Sequence, residues 1–185
     1  MEPKADLREP EISGRTCLTS FEGAFQEHWQ RVYRVICRLT GNSADAEDLA
    51  VEVFWRLHSQ MSANRKPVTP GWLYRVAVNL GLNSLRASRR RSRYEDAAAQ
   101  WPTTNRAAGD PLELAAQTEE RDRVRSVLAR LKPRSARLLI LRHSGLSYAE
   151  LASALGIPAA SVGSLLARAE KEFEKSYRSP KSDRS

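Results

Sequence analysis

Between Ser147 and Phe173 the sequence holds two helical patterns separated by about three residues. Ser147 and Glu150 have the spacing of a capping box, and Leu151, Ala152 and Leu155 give a short apolar face behind it. Gly156 stands where a left-handed cap ends a helix, and Pro158 restarts one at once, with Val162, Leu165, Leu166, Ala169 and Phe173 recurring on one side. Two helices joined so tightly must cross, which is a helix-turn-helix unit. Ala152 is small enough to let them approach, and Val162 is placed to fill the angle between them.

The rest of the chain obeys the same period. Phe21, Phe25, Trp29, Val32, Tyr33 and Ile36 recur at steps of three and four and predict a helix from about Ser20 to Gly41. Ser43 is expected to cap a second helix, whose first turn carries Asp45, Glu47 and Asp48 against the helix dipole and whose inner side holds Leu49, Ala50, Val53, Phe54, Leu57 and Met61. Thr69 and Pro70 open a third, with Leu73, Val76, Ala77, Leu80 and Leu85 inward, running into Arg86, Arg89, Arg90, Arg91 and Arg93. Asp110, Pro111 and Glu113 start a fourth that lasts to about Leu131, and Pro133 a fifth that ends at the Ser144–Gly145 turn. No strand-like alternation occurs, so the expected fold class is all-α. Two small helical domains are expected at residues 20–93 and 111–178. An N-terminal extension (1–19), an acidic linker (94–110) and a disordered tail (179–185) complete the division.

Charge narrows the partners. Lys and Arg number 30 against 22 Asp and Glu, a net +8, and the excess sits in residues 21–93 and 121–185 around an acidic 94–120. Two basic blocks favour a polyanion without naming it. Cys17 and Cys37 have neither metal-knuckle nor redox-pair spacing, so no metal or disulfide framework is indicated and a reducing cytoplasm fits. No run approaches the ~18 apolar residues of a membrane span, and no membrane insertion is expected. His28, His58 and His143 lie far apart, and no phosphate-binding loop or paired-carboxylate arrangement stands out. The expectation is therefore a non-enzyme without cofactors.

Three strings carry a family resemblance. DAEDLAVEVFWRLHSQ (Asp45–Gln60) resembles the core-binding helix of the sigma-70 family of RNA polymerase subunits. PGWLYRVAVNLGLNSLRASRRR (Pro70–Arg91) resembles the helix that meets the minus-ten element, and Leu131–Phe173 resembles the fourth domain, which binds the minus-thirty-five element. The order of the three, with no room for a third domain, points to the compact extracytoplasmic-function (ECF) group.

The resemblance implies an alternative sigma factor acting in the cytoplasm. Its partners would be core RNA polymerase, through the clamp helices of the largest subunit and the beta flap, promoter DNA, and an anti-sigma factor in some members. Asp48, Glu52 and Arg56, with neighbouring apolar residues, would face the polymerase. Asn79 and Asn83 would offer amides to base edges, Arg86, Arg89 and Arg90 would neutralise phosphates, and Trp72 and Tyr74 would stack on exposed bases, or else Trp72 packs into the core and Tyr74 stays half-exposed. The acidic linker would thread the polymerase cleft. Ser161, Ser164, Arg168 and Lys171 remain as DNA candidates on the recognition helix. Gly163, Leu165 and Glu170 stand where the family commonly has basic residues, so weak or atypical minus-thirty-five reading is expected. Two other readings stay open: a helix-turn-helix regulator of the response-regulator output type, and a sigma-like protein acting mainly through protein partners.

Overall fold

Ser20 takes extended backbone, and its hydroxyl accepts from the Gly23 N–H at 3.0 Å. Helix α1 (Phe21–Thr40) follows and ends at Gly41. Helix α2 (Ser43–Ser62) starts one residue earlier than expected: Asn42, not Ser43, is the cap, because Asn42 is extended and its Oδ1 accepts from Ala44 N–H at 2.9 Å, while Ser43 is already helical. Thr69 does cap α3 (Pro70–Glu95), its hydroxyl accepting from Trp72 N–H at 3.3 Å. α4 (Pro111–Arg130), α5 (Pro133–His143), α6 (Tyr148–Leu155) and α7 (Ala159–Arg178) complete the seven helices among the described residues, which include no strand. This computed structural model describes residues 17–63, 67–95 and 111–178, without the side chains of 93–95 and 111–116. The expected Asp110 cap, most of the linker, nearly all of the N-terminal extension and the C-terminal tail lie outside those residues.

The capping box is closed in both directions. Ser147 Oγ accepts from Glu150 N–H at 3.3 Å, and Glu150 Oε2 accepts from Ser147 N–H at 2.7 Å. Gly156 then turns the chain with φ +63°, a conformation that costs a side-chain-bearing residue about 1 kcal/mol or more. Val162 fills the crossing and is fully buried. Ser147→Ala removes one arm of the box and should cost about 1 kcal/mol of stability, read as a lower urea midpoint at unchanged m-value.

In the first three helices Val32, Ile36, Val53, Leu57, Leu73, Ala77 and Leu82 interdigitate out of contact with water. Phe25 stacks on Trp29 at 4.9 Å between centroids and meets the edge of Phe54 at the same distance. In the last four, α7 ties back onto its neighbours. The Tyr177 hydroxyl donates to Glu120 on α4 at 2.6 Å. Glu172 accepts from Lys132 N–H at 3.3 Å and Ser135 Oγ at 2.7 Å, supplying the side-chain cap that Lys132 cannot give α5.

The two halves do not stand apart. Helix α3 packs along α4, α5 and α6, and the buried side chains of both halves form one apolar cluster. Gly71 makes the approach possible: a Cβ there would lie 3.2 Å from the Ala154 Cβ on α6.

Candidate polymerase and nucleic-acid interfaces

Helix α2 has an inner and an outer face. Ala46, Ala50, Val53, Phe54 and Leu57 are buried, and the periodicity puts Asp48, Val51, Glu52, Trp55 and Arg56 on the opposite side. Glu52 and Arg56 pair there at 2.6 Å with both side chains largely in water. Beside that pair stand Val51 at 54% exposure and Trp55, which sequence reasoning did not single out, at 65%. The Trp55 ring stacks on His58, 6.1 Å between centroids. The signal was available: an apolar pair at i and i+4 on the side of an amphipathic helix away from its core. The arrangement is an exposed valine–tryptophan pair beside charged side chains, a composition that protein interfaces share.

On α3 the expected DNA residues divide. Asn83 and Arg90 are exposed. Asn79 is half-buried, and its Oδ1 is fully enclosed with no hydrogen-bond partner among the described residues. Arg86 and Arg89 are half-buried and reach α4: Arg86 donates to the carbonyls of Ala129 and Leu131, each at 3.2 Å, and Arg89 to that of Ser126. Tyr74 is neither a stacking surface nor half-exposed, because the α3 period turns it inward to 2% exposure, and it is Trp72 that stays half-buried instead of entering the core.

Tyr74 is held by a buried polar pair. Its hydroxyl shares a 3.0 Å hydrogen bond with His28 Nδ1, and the Arg31 guanidinium lies 4.8 Å above its ring. Burial pushes the Tyr74 phenol up, partly offset by Arg31. Burial also lowers the His28 pKa from its ordinary 6.5, against a smaller opposing pull from Glu27. The folded state therefore disfavours the imidazolium, and the unfolded chain takes up the proton first as pH falls. Stability should drop as pH falls through the ordinary histidine range, and chemical denaturation at pH 7.5 and 5.5 should show a smaller drop for His28→Gln.

In the helix-turn-helix, Ser164, Arg168 and Lys171 are exposed on α7 and Ser161 is half-buried, its carbonyl accepting from the Ser164 hydroxyl at 3.1 Å. A Cβ on Gly163 would meet the Tyr148 ring at 3.7 Å, an ordinary contact. Arg142 lies over that ring, 5.4 Å from its centroid, and Tyr148 is itself 48% exposed.

Fold and surface together define a basic, all-helical protein in which a helical bundle precedes a helix-turn-helix. Two family models match in the same order: sigma-70 region 2 over residues 24–91 and sigma-70 region 4 over residues 121–173, together more than half of the chain. The ECF sigma factor SigE of Mycolicibacterium smegmatis is 28% identical over 160 residues, covering 86% of this chain and 62% of that protein. SigJ of Mycobacterium tuberculosis is 36% identical over 152 residues, covering 80% and 48%. The chain thus spans about half to three-fifths of the length of these two relatives. Among solved structures, the sigma factor RpoE of Bartonella quintana, in complex with the anti-sigma factor NepR, shares the fold with a TM-score of 0.52 at 18% identity, covering 90% of this chain and all of that one. The chain belongs to the ECF sigma factors of the sigma-70 family.

Proposed function

We propose that the chain is an alternative sigma factor that binds core RNA polymerase and directs promoter-specific initiation in the cytoplasm, without catalytic activity of its own. The observation that carries this is the outer face of α2. A polymerase-docking role explains why Val51 and Trp55 stay in water on a helix whose other face is fully buried. A helix-turn-helix regulator gives no reason for that face. Asp48, Glu52 and Arg56 frame the docking surface. Asn83 and Arg90, and Arg86 and Arg89 once released from α4, meet DNA near the minus-ten element. The domains divide at 20–93 and 111–178. An anti-sigma factor is the natural inhibitor, as NepR is found with RpoE.

The deciding experiment is run-off transcription from a genomic promoter library with purified core polymerase. Discrete transcripts should appear only when the chain is added; transcripts no different from those of core alone would refute the reading. In the same assay the thinly charged α7 face has a consequence. Scrambling the minus-thirty-five element of an active promoter should lower its output only about tenfold or less, roughly the worth of one base-reading contact, whereas scrambling the minus-ten element should abolish it.

A further inference from the structure

The arginine run at the end of α3 carries a serine hydroxyl in its midst. Ser92 directly follows Arg89, Arg90 and Arg91 and precedes Arg93. Basophilic serine kinases select such a hydroxyl, because carboxylates beside their phosphoryl-transfer site take guanidinium groups one to three residues ahead of it. Two other serines have a basic residue both one and three positions ahead: Ser126, after Arg123 and Arg125, and Ser135, after Lys132 and Arg134. The fold separates the three. Ser135 is half-buried, and its hydroxyl donates to Glu172 at 2.7 Å. Ser126 is half-buried within α4 beside the buried Val127, and its carbonyl accepts from Arg89. Ser92 is exposed, as are Arg90 and Arg91 ahead of it.

The position of Ser92 along α3 lets it be presented. A kinase cleft takes its target segment extended, so the turn that holds the serine must unwind. Leu85 is buried, but no side chain from Arg86 to Ser92 is. Unwinding α3 from Arg89 onward therefore breaks backbone hydrogen bonds and the Arg89–Ser126 contact without uncovering a buried apolar side chain, the condition for a low-cost local opening. The same opening at Ser126 would draw Val127 out of the core.

We propose that Ser92 is the phosphorylation site of a basophilic serine kinase and that its phosphate silences the arginines around it. In the transfer, Ser92 Oγ bonds to the γ-phosphorus of ATP while the bond from that phosphorus to the β,γ-bridging oxygen breaks. ADP leaves, and the hydroxyl proton passes to a base on the kinase. The product sets about −1.5 to −2 charges at pH 7 among Arg89, Arg90, Arg91 and Arg93. A phosphate fixed to the same stretch of chain competes with DNA phosphates for those guanidinium groups, and the run offers a duplex about two charges fewer. The effect on DNA rests on the sigma-factor reading of Arg89 and Arg90; the site itself does not.

The test uses the full-length chain, ATP and the purified catalytic subunit of a basophilic serine kinase. One phosphate should appear in the chymotryptic peptide 86–94, and fragmentation should place it on Ser92, not on Ser88. Ser92→Ala should cut incorporation at least tenfold. The phosphorylated chain should bind a random-sequence 40-base-pair duplex at least tenfold more weakly at low salt than mock-treated chain. Its log–log salt dependence should be shallower by about 1.8, two contacts at about 0.9 each. Ser92→Ala carried through the same treatment should bind as the mock-treated parent does. Absence of phosphate from Ser92, or undiminished incorporation in Ser92→Ala, overturns the site. Phosphate on Ser92 with unchanged affinity and salt slope overturns the switch. Run-off transcription by the unmodified chain with core polymerase tests the underlying reading separately. No transcript, beside a Ser92 phosphate that weakens duplex binding, refutes the sigma-factor role and leaves the site standing.

Discussion

Trp55→Ala should leave the chain as stable as its parent and weaken its binding to core RNA polymerase by about thirtyfold or more. The stability half follows from burial: Trp55 is 65% exposed and stacks on His58, itself exposed, so its loss removes little buried area. The affinity half follows from how protein interfaces distribute their energy. A large aromatic side chain at the centre of a docking patch, ringed by polar groups, is the residue type whose truncation costs about 2 kcal/mol or more, which is about thirtyfold. Glu52→Ala provides the internal contrast. It breaks an exposed i,i+4 pair, and such pairs contribute about 0–1 kcal/mol, so it should shift affinity severalfold at most. Titration of labelled chain with core polymerase gives both numbers, and thermal melts of the free chains check that neither variant is destabilised. A Trp55→Ala chain that binds core as the parent does would place the docking surface elsewhere.

How much of this was legible beforehand depended on whether the information was local. Caps and stops are set within a few residues, and so Gly41, Thr69, the Ser147–Glu150 box and Gly156 all end or begin helices as the sequence implied. The one misplaced cap, Ser43 for Asn42, is a choice between adjacent residues of similar chemistry. Only the backbone conformation decides it. Side-chain facing was less legible on α3. A helix packed on α1 and α2 from one side and on α4, α5 and α6 from another has too wide a buried arc for a single apolar stripe. Tyr74 therefore goes inside and Asn79 half inside. The contacts of Arg86 and Arg89 were invisible to sequence reasoning for a different reason. Both find backbone carbonyls, and a carbonyl has no letter in the sequence. A basic run reads as a solvated face or a phosphate site until the coordinates show which helix ends lie opposite.

Leu57→Ala inverts the outcome expected at Trp55, two residues away on the same helix. Leu57 is fully buried in the apolar cluster, and removing its isobutyl group deletes apolar burial and leaves a cavity that the packed helices close only in part. Such truncations cost about 2–5 kcal/mol. Against a total stability of about 5–15 kcal/mol for a domain, that is enough to populate the unfolded chain at physiological temperature. Leu57→Met, which nearly conserves volume, should cost less than about 1.5 kcal/mol and separates the cavity from a general intolerance of the site. The function should fail conditionally. Polymerase binds only the folded chain, so excess core pulls the Leu57→Ala equilibrium back, adding about 2.7 kcal/mol at a hundred times its dissociation constant. Transcription should thus be lost at limiting core and recover at saturating core, while the free chain's melt stays depressed. The melt decides the face assignment. A Leu57→Ala chain that melts with the parent, beside a Trp55→Ala chain that does not, would mean that α2 presents to the polymerase the side assigned here to the core.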